Sequence, residues 1–272
     1  MDIHKSRSTF VFVVLTIIGL SILYLSYFLS QDNEIAEVVW WGIKIVASII
    51  AVWTYILIFY YMFLSIIGYG KVKRDYEMHD PKLKFLIMVP AHNEEAVISE
   101  TIKHLRTIDY PSELYNVVVV SDQSTDSTTA MCIDMDVDVV DTAEGKHERF
   151  GVGKPAGLQY ALEDYDYHQY DYVMVLDADN FVDPNVFQEL NSQLIEKKID
   201  AVQVYLDSKN TDKFQPLGYA ASYWTMNRAF QLAKYRLHLP NSIGGTGFVV
   251  STEWLDNNNG FKSHSLTEDL EM

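Results

Sequence analysis

The sequence predicts an α/β domain, built on a mostly parallel sheet with helices on both faces, that follows two transmembrane helices. Short, mainly apolar runs alternate with stretches of helical spacing. They are residues 85–89, 117–120, 137–140, which include Asp138, and 172–176. Runs without polar alternation are typical of parallel strands that helices cover on both sides. Two much longer uncharged runs come before them.

The two uncharged runs are long enough to cross a bilayer. Residues 9–30 form one run of 22 residues, and residues 45–70 form another. A hydrocarbon core about 30 Å thick needs about 20 helical residues. We therefore divide the chain into an N-terminus (1–8), two spans with an external loop (9–70), a linker (71–84) and an α/β domain (85–272). The alternative is that one run is a buried helix of a soluble core.

The charged flanks of these runs predict the orientation in the membrane. Lys5 and Arg7 precede the first run, whereas Lys71, Lys73 and Arg74 follow the second. Positively charged residues stay on the cytosolic side. We therefore expect a multi-pass protein of the plasma membrane whose N-terminus and α/β domain both face the cytosol.

Composition limits the partners of the chain. It has 21 Lys plus Arg against 37 Asp plus Glu, a formal net charge of −16. This balance argues against nucleic acid as a partner, because phosphate neutralisation needs a basic surface. Cys132 is the single cysteine, so no internal disulfide can form, in agreement with a reducing compartment.

Polar residues follow three of the apolar runs, at Pro90, Asp122 and Asp177. In parallel sheets the ligand binds outside the carboxyl ends of the strands. Asp177 and Asp179 place two carboxylates there, which suits Mg²⁺ or Mn²⁺ and, through that ion, the phosphates of a nucleotide diphosphate. For this tripeptide alone, an acidic turn that caps the next helix remains the alternative.

Five motifs in order carry a resemblance to a known family. They are Pro90-Ala91-His92-Asn93-Glu94, Ser121-Asp122-Gln123-Ser124-Thr125-Asp126, Gly153-Lys154, Asp177-Ala178-Asp179 and Thr267-Glu268-Asp269. Together they resemble glycosyltransferase family 2, which implies the GT-A fold over residues 85–272. With two preceding spans, the chain is similar more narrowly to the processive membrane synthases of cellulose, chitin, hyaluronan and poly-N-acetylglucosamine.

The resemblance implies a nucleotide-sugar donor, commonly a UDP-sugar. It assigns the uridine to Pro90, Asn93, Glu94 and Asp122, and places Lys154 near the nucleotide or its diphosphate. For Asn93 and Glu94, helix capping is an equally acceptable interpretation. The resemblance also implies Asp179 as the ligand of a divalent cation, Mg²⁺ or Mn²⁺, and Asp177 beside the ribose or donor sugar, although the sequence does not separate these two roles.

The resemblance also implies where the acceptor reacts. Asp269, with Glu268 beside it, resembles the family's general base, and direct displacement at the sugar would invert the anomeric configuration. Gly245, Thr246 and Gly247 resemble the segment that shapes the acceptor site. The alternatives are a helix N-terminus for the acidic pair and the start of a strand for the glycines.

The resemblance implies an inverting hexosyltransferase that extends a polysaccharide at the cytosolic face of the membrane, with membrane lipid around it. A non-processive enzyme that moves one sugar to a lipid or glycan acceptor is the alternative. From another class, phosphatases of the haloacid dehalogenase type also carry Asp-x-Asp after a strand, but Phe181 does not fit their pattern. A membrane binding module without activity is the remaining alternative.

Some features depart from the family pattern. Ser121, Gln123 and Ser251 stand where many relatives have aspartate, glycine and a basic residue. The chain ends at Met272, before any Gln-x-x-Arg-Trp segment or C-terminal membrane helix, so we expect a missing C-terminal region. An aromatic stripe at helical spacing is usually core, although some of its members could line a sugar groove; it comprises Tyr219, Tyr223, Trp224, Phe230 and Tyr235.

Overall fold

The computed structural model describes residues 34–209 and 211–261, together with Leu20, Ser21, Tyr24 and Tyr27. The chain forms two compact units, Met1–Ile66 and Ile67–Met272. Two sets of predictions fall mainly or wholly outside the described residues. They are the first span at residues 9–30 and the acidic pair Glu268 and Asp269.

Helix α1 covers Glu34–Gly68, 35 residues. At about 1.5 Å per residue this is about 52 Å, longer than the hydrocarbon core of a bilayer. Trp40 and Trp41 lie near its start, where Lys44 places its Nζ 4.9 Å from the ring of Trp41. Among the described residues, Glu37–Gly68 is the one stretch with the length and composition of a membrane span. The prediction of two spans is therefore supported for the second run alone.

The second unit is built on a six-stranded mixed sheet. Its strands are β1 (Phe85–Ala91), β2 (Tyr115–Ser121), β3 (Asp138–Asp141), β4 (Tyr172–Val175), β5 (Ala201–Gln203) and β6 (Phe248–Ser251). Their order across the sheet is β3-β2-β1-β4-β6-β5. The first four pair in parallel, whereas β6 runs antiparallel to both β4 and β5. The prediction of a mostly parallel sheet is confirmed.

Helices cover both faces of the sheet, as the apolar strands predict. On one face lie α2 (Ile98–Leu105), α3 (Thr128–Asp134) and α5 (Val186–Lys197), and on the other lie α4 (Lys154–Asp164) and α8 (Thr252–Asn257). Alternate strand residues supply the two cores: Ile87 and Val89 point to the first, Leu86 and Met88 to the second, and all four are fully buried. The carboxyl ends of β1, β2 and β4 are thereby left as the open edge.

The linker at residues 71–84 lies along α5. Asn191 of α5 is fully buried, and its Oδ1 accepts hydrogen bonds from the backbone N–H groups of Lys82 and Leu83, both at 3.0 Å. Glu189 binds Arg74 through both carboxylate oxygens and accepts a bond from the hydroxyl of Tyr76 at 2.7 Å. The linker is therefore fastened to the α/β domain along its length.

A helical segment connects β5 to β6. It comprises α6 (Phe214–Thr225), a π-helical stretch (Met226–Leu232) and α7 (Ala233–Arg236). The aromatic stripe predicted here is largely exposed rather than core, with Tyr219 at 60% and Trp224 at 41% of full exposure. The spacing is helical, but β5 is an edge strand of the sheet, and the described residues leave much of this helix uncovered.

Candidate active site

The candidate site lies at the carboxyl edge of the sheet. Register places Ala91 of β1 beside Ser121 of β2, and Met88 of β1 beside Val175 of β4. The loops that follow these strands therefore start side by side. They carry most of the residues that the sequence singled out, among them Asn93, Asp122, Asp177 and Asp179.

Asp122 lies almost completely buried behind β2, with 9% of its surface exposed. Its backbone N–H donates to the carbonyl of Ala91 at 2.7 Å. Its carboxylate accepts two hydrogen bonds from Arg149, one from Nη1 and one of 2.9 Å from Nη2. It also accepts a hydrogen bond of 2.9 Å from the hydroxyl of Thr142. A Cβ at Gly157 of α4 would lie 3.1 Å from its Cγ, so this glycine permits the close approach of α4.

Arg149 was not identified from the sequence. It belongs to a loop before α4 in which Gly145, Gly151 and Gly153 all have positive φ, between +67° and +80°. Its hydrogen bonds to Asp122 raise the pKa of the guanidinium above its ordinary value, so it stays charged. The available sequence signal for this residue was an arginine in a loop with several glycines. That signal does not indicate its partner, Asp122, which is 27 residues away.

Asn93 joins the loop after β1 to the loop after β2. Its backbone has φ +57°, and its Oδ1 accepts bonds from the N–H groups of Thr125 at 2.7 Å and Asp126 at 3.3 Å. Helix α2 begins at Ile98, and its N-cap residue, Val97, makes no side-chain cap bond. The structure therefore does not support the capping interpretation of Asn93. Contact of Asn93 with a nucleotide stays a prediction.

Glu94 and Pro90 lie in the same part of the site. The backbone N–H of Glu94 donates to the hydroxyl of Thr128 at 2.8 Å, and its carbonyl accepts from the N–H groups of Val97 and Ile98. Pro90 is a half-buried residue of β1. Both residues lie at the carboxyl edge, next to the loop that carries Asp122.

Lys154, at the start of α4, bridges to the loops after β4 and before β6. Its Nζ lies 2.6 Å from Oδ1 of Asp177 and also donates to the carbonyl of Gly245. Thr246 accepts at its hydroxyl from the N–H of Asp177 at 2.9 Å and from Nδ2 of Asn180 at 2.8 Å. The negative charge of Asp177 is thereby compensated within the protein.

Asp179 differs from Asp177 in being exposed and uncompensated. No side chain of the described residues donates a hydrogen bond to its carboxylate, and Lys209 donates instead to its backbone carbonyl. Asp179 lines a cavity of about 450 Å³ together with Asn180, Phe181, Asp183, Tyr205, Asp207, Tyr223 and Thr246. The two carboxylates after β4, which the sequence could not separate, therefore have different environments.

The carboxylates at the end of β4 suit a magnesium-type ion. Asp177 and Asp179 offer hard oxygen donors, and in residues 34–209 and 211–261 no group of three or more His, Cys, Asp or Glu side chains is arranged to hold a metal. A site with one or two carboxylates, completed by substrate phosphates and water, is the usual arrangement for Mg²⁺. The two carboxylates fit this arrangement rather than a site in which protein side chains supply every metal ligand.

The wall of this cavity combines aromatic rings with charges. Lys209 places its Nζ 4.1 Å from the ring of Phe181, which stacks on His104 with centroids 4.4 Å apart. Asp207, also on this wall, accepts at its Oδ1 a hydrogen bond of 2.8 Å from the indole of Trp224, which is outside the lining residues. Rings with adjacent polar groups present both an apolar face and hydrogen-bonding edges, which suits a sugar.

Gln203 holds the glycine-rich loop that the sequence predicts for the acceptor. Its Oε1 accepts from the N–H of Gly244 at 2.6 Å, and its Nε2 donates to the carbonyls of Thr246 at 2.9 Å and Gly247 at 3.0 Å. Gly247 has φ +63°, and a Cβ there would lie 2.9 Å from the side chain of Leu206. This explains the glycine structurally, and contact of Gly245, Thr246 and Gly247 with an acceptor stays a prediction.

Comparison with known proteins shows where this chain belongs. The family model described as "Glycosyltransferase like family 2" matches residues 81–272. A β-monoglucosyldiacylglycerol synthase of Synechocystis sp. is 28% identical over 201 residues, which cover 71% of this chain and 40% of that protein. A probable glycosyltransferase, YdaM of Bacillus subtilis, is 24% identical over 245 residues, 83% of this chain and 55% of its own length. The chain thus spans about half or less of these curated relatives.

A solved structure confirms the GT-A fold. The mannosyltransferase PcManGT from Pyrobaculum calidifontis, in complex with GDP-Man and Mn²⁺, has a TM-score of 0.58 with this chain at 19% identity. The likeness covers 78% of this chain and 56% of that one. At this identity it is evidence for the fold alone.

Proposed function

The chain belongs to the family described as glycosyltransferase like family 2, and from this premise we propose that it is a hexosyltransferase that moves one sugar from a nucleotide-sugar donor to a lipid acceptor. The observation that carries the proposal is the different state of the two carboxylates after β4. Lys154 compensates Asp177, whereas Asp179 is exposed and free of side-chain donors from the described residues. Family membership also argues against the two alternatives from other classes, a phosphatase and a binding module without activity.

Asp179 would hold the divalent cation, with Asp177 as a second oxygen donor nearby. A bound Mg²⁺ or Mn²⁺ would neutralise the diphosphate and stabilise it as a leaving group. Lys154 keeps Asp177 in position, and it adds positive charge where the diphosphate would lie. Without compensation, the carboxylates and the phosphates would repel each other.

Asp122 would recognise the base. A carboxylate accepts hydrogen bonds, so it suits a base that presents an N–H edge, such as uracil or guanine. Arg149 and Thr142 hold the carboxylate in one orientation, and Asn93 holds the two neighbouring loops together. A UDP-sugar is our first choice of donor.

Transfer of a single sugar replaces polymer extension as the favoured reaction. The name of the Synechocystis relative describes a product with one glucose on diacylglycerol in β linkage, which favours the lipid acceptor over a growing glycan. A β product is consistent with inversion at an α-linked donor, with Asp269 as the general base beside Glu268. The enzyme would work at the cytosolic face of the membrane, to which α1 would anchor it.

The test is a product assay with the complete gene product in lipid vesicles. We expect a panel of UDP-sugars with manganese to give one sugar per lipid, seen by mass spectrometry of the extract, with one donor preferred. Asp269→Asn should retain nucleotide binding and lose turnover. Long glycan chains, or nucleotide release without any glycolipid under all donors, would contradict the proposal.

A further inference from the structure

A second cavity lies at the outer edge of the sheet, around the edge strand β5. Its volume is about 520 Å³, within the usual range for small-molecule sites. It lies between α5, the chain around β5 and the helical segment Met226–Leu232 with the residues that follow. We call it the edge cavity, and its aliphatic lining is Val72, Ile199, Val202, Val204, Leu232 and Leu239.

The charged residues on the wall of the edge cavity are bound to other parts of the protein. Lys197 places its Nζ 3.2 Å from Asp75, and Asp75 also accepts a bond of 2.8 Å from the hydroxyl of Tyr235. Arg228 donates to the carbonyl of Gly70 at 2.9 Å. A charged ligand would have to compete with these contacts, so the cavity suits an uncharged one.

One polar atom on this wall lacks a partner. The Oε1 of Gln231 is buried and accepts no hydrogen bond from the residues that the structure describes, while its Nε2 donates to the carbonyl of Ser242 at 3.0 Å. Leaving a buried acceptor without a donor is unfavourable, and such groups are uncommon in folded proteins. A ligand with a hydroxyl group would satisfy this oxygen. An apolar molecule with at least one hydroxyl donor would therefore fit this cavity.

The edge cavity includes a residue that is close in sequence to the end of the candidate membrane span. Val72, one of its lining residues, comes four residues after Gly68, where α1 ends, so it is at most about 14 Å of chain from that end. Gly68 packs directly on the carbonyl of Arg228, where a Cβ would overlap it. Arg236 donates to the carbonyls of Ile67 at 2.7 Å and Tyr69 at 2.8 Å. By this chain distance, a lipid at the end of the span would be within reach of the cavity.

The edge cavity shares a wall with the candidate active site. Val204 and Tyr205 line both this cavity and the one that contains Asp179. Gln203, which also lines the edge cavity, holds the loop at Gly244, Thr246 and Gly247. A molecule bound here would therefore lie on the other side of Val204 and Tyr205 from the cavity that contains Asp179.

We propose that the edge cavity is a loading site for the acceptor, an uncharged acylglycerol with a free hydroxyl, between the bilayer and the active site. An acyl chain packs on the aliphatic lining, and the hydroxyl donates to Gln231 before the lipid moves past Val204 and Tyr205. This inference rests on the proposed transfer to a lipid. It concerns lipid binding, which can be measured without a sugar donor.

The experiment uses the complete gene product in lipid vesicles and a diacylglycerol that carries a photoreactive diazirine in one acyl chain. Without any nucleotide sugar, we expect crosslinks on peptides that contain the edge-cavity lining. Leu232→Trp fills the cavity and should reduce this labelling at least about tenfold. Ile133→Trp, at an exposed position on α3, is the matched control and should label like the wild type.

A second pair of variants tests the hydrogen bond. Gln231→Leu should raise the KM for diacylglycerol and leave kcat and nucleotide affinity unchanged. Gln193→Leu makes the same change on the same wall without removing the unpartnered oxygen, and should have no such effect. Circular dichroism and nucleotide binding verify that each variant is folded.

The outcomes separate the two proposals. Labelling that lies elsewhere, or that Leu232→Trp does not reduce, overturns the loading site even if glycolipid forms. Labelling of the edge cavity without glycolipid from any donor supports lipid binding here and refutes the proposed transfer.

Discussion

The Nζ of Lys154 lies 2.6 Å from Oδ1 of Asp177. This contact joins the first residue of α4 to the loop after β4, and it compensates one of two carboxylates that are only two residues apart in sequence. The other, Asp179, keeps its charge exposed at the cavity.

Asp179→Asn should remove the metal-dependent part of nucleotide binding. An amide is a much weaker ligand for a hard cation than a carboxylate. Loss of a residue that only supports a metal ligand weakens metal binding about 10- to 100-fold. Loss of the ligand itself should therefore reduce the manganese-dependent gain in UDP affinity by more than this. Calorimetry with and without manganese measures it. Asp183→Asn, on the same cavity wall, is the control. An unchanged manganese effect in Asp179→Asn would reassign the metal.

Arg149→Leu should destabilise the α/β domain, because it leaves the buried carboxylate of Asp122 with the hydroxyl of Thr142 as its remaining side-chain donor among the described residues. We expect a loss of about 2 kcal/mol, or a Tm lower by about 4–8 °C. Arg149→Lys retains the charge but not the two-pronged geometry, so its Tm should be intermediate. Equal Tm values for all three proteins would mean that the pair is unimportant.

Gln203→Leu should impair transfer more than nucleotide binding. The side chain makes three hydrogen bonds to the loop at residues 244–247 and none to the loops that hold Asp122 or Asp179. Each lost bond costs about 1 kcal/mol, so the loop should loosen and turnover should fall. Steady-state kinetics and UDP titration measure the two effects. An equal loss of UDP affinity would place Gln203 in donor binding.

The contact between the linker and α5 should depend on pH. The hydrogen bond from Arg74 lowers the pKa of Glu189 in the folded protein. A lowered folded pKa stabilises the fold above the unfolded pKa of about 4.3, and this stabilisation is lost as pH falls through the folded value. Glu189→Gln should therefore lower the Tm at pH 7 and have little effect near pH 3. Thermal unfolding at several pH values tests this, and a constant difference would contradict it.

Cys132 should be unreactive in the native protein. Its side chain is fully buried, and burial raises its pKa to about 11. A thiol reagent at pH 8 should therefore label it only after denaturation. The wild type then serves as the background for topology mapping, in which a cysteine at the exposed Asn258 should react from the cytosolic side and one at Asn33 from the outside. The reverse pattern would refute the predicted orientation.

The sequence predicted where the candidate site residues lie in the fold better than it predicted their contacts. Asp122, Asp177 and Asp179 could be found because each follows an apolar strand, and parallel strand ends must meet at one edge. Arg149 and Gln203 could not be found in this way. Their partners lie 27 and 44 residues away and depend on how the loops close over the sheet, which no local pattern encodes.

Other differences have equally physical causes. Asn93 stays a predicted site residue, and its side chain holds a neighbouring loop rather than a helix end. The aromatic stripe had helical spacing, but spacing does not show whether another layer covers the helix. Glu268 and Asp269 lie outside the residues that the structure describes, so the general base stays a prediction.

Asn191 determines where a soluble fragment of this protein should begin. Its amide is fully buried and binds residues 79–83 through four backbone groups, at His79, Asp80, Lys82 and Leu83. A fragment that started at the first strand, Phe85, would leave this amide buried without those partners, and a truncation near residue 81 would lose some of them. A fragment that begins at Lys71 retains the whole linker, including Arg74 and Tyr76 on Glu189. The folding boundary therefore lies about a dozen residues before the sheet.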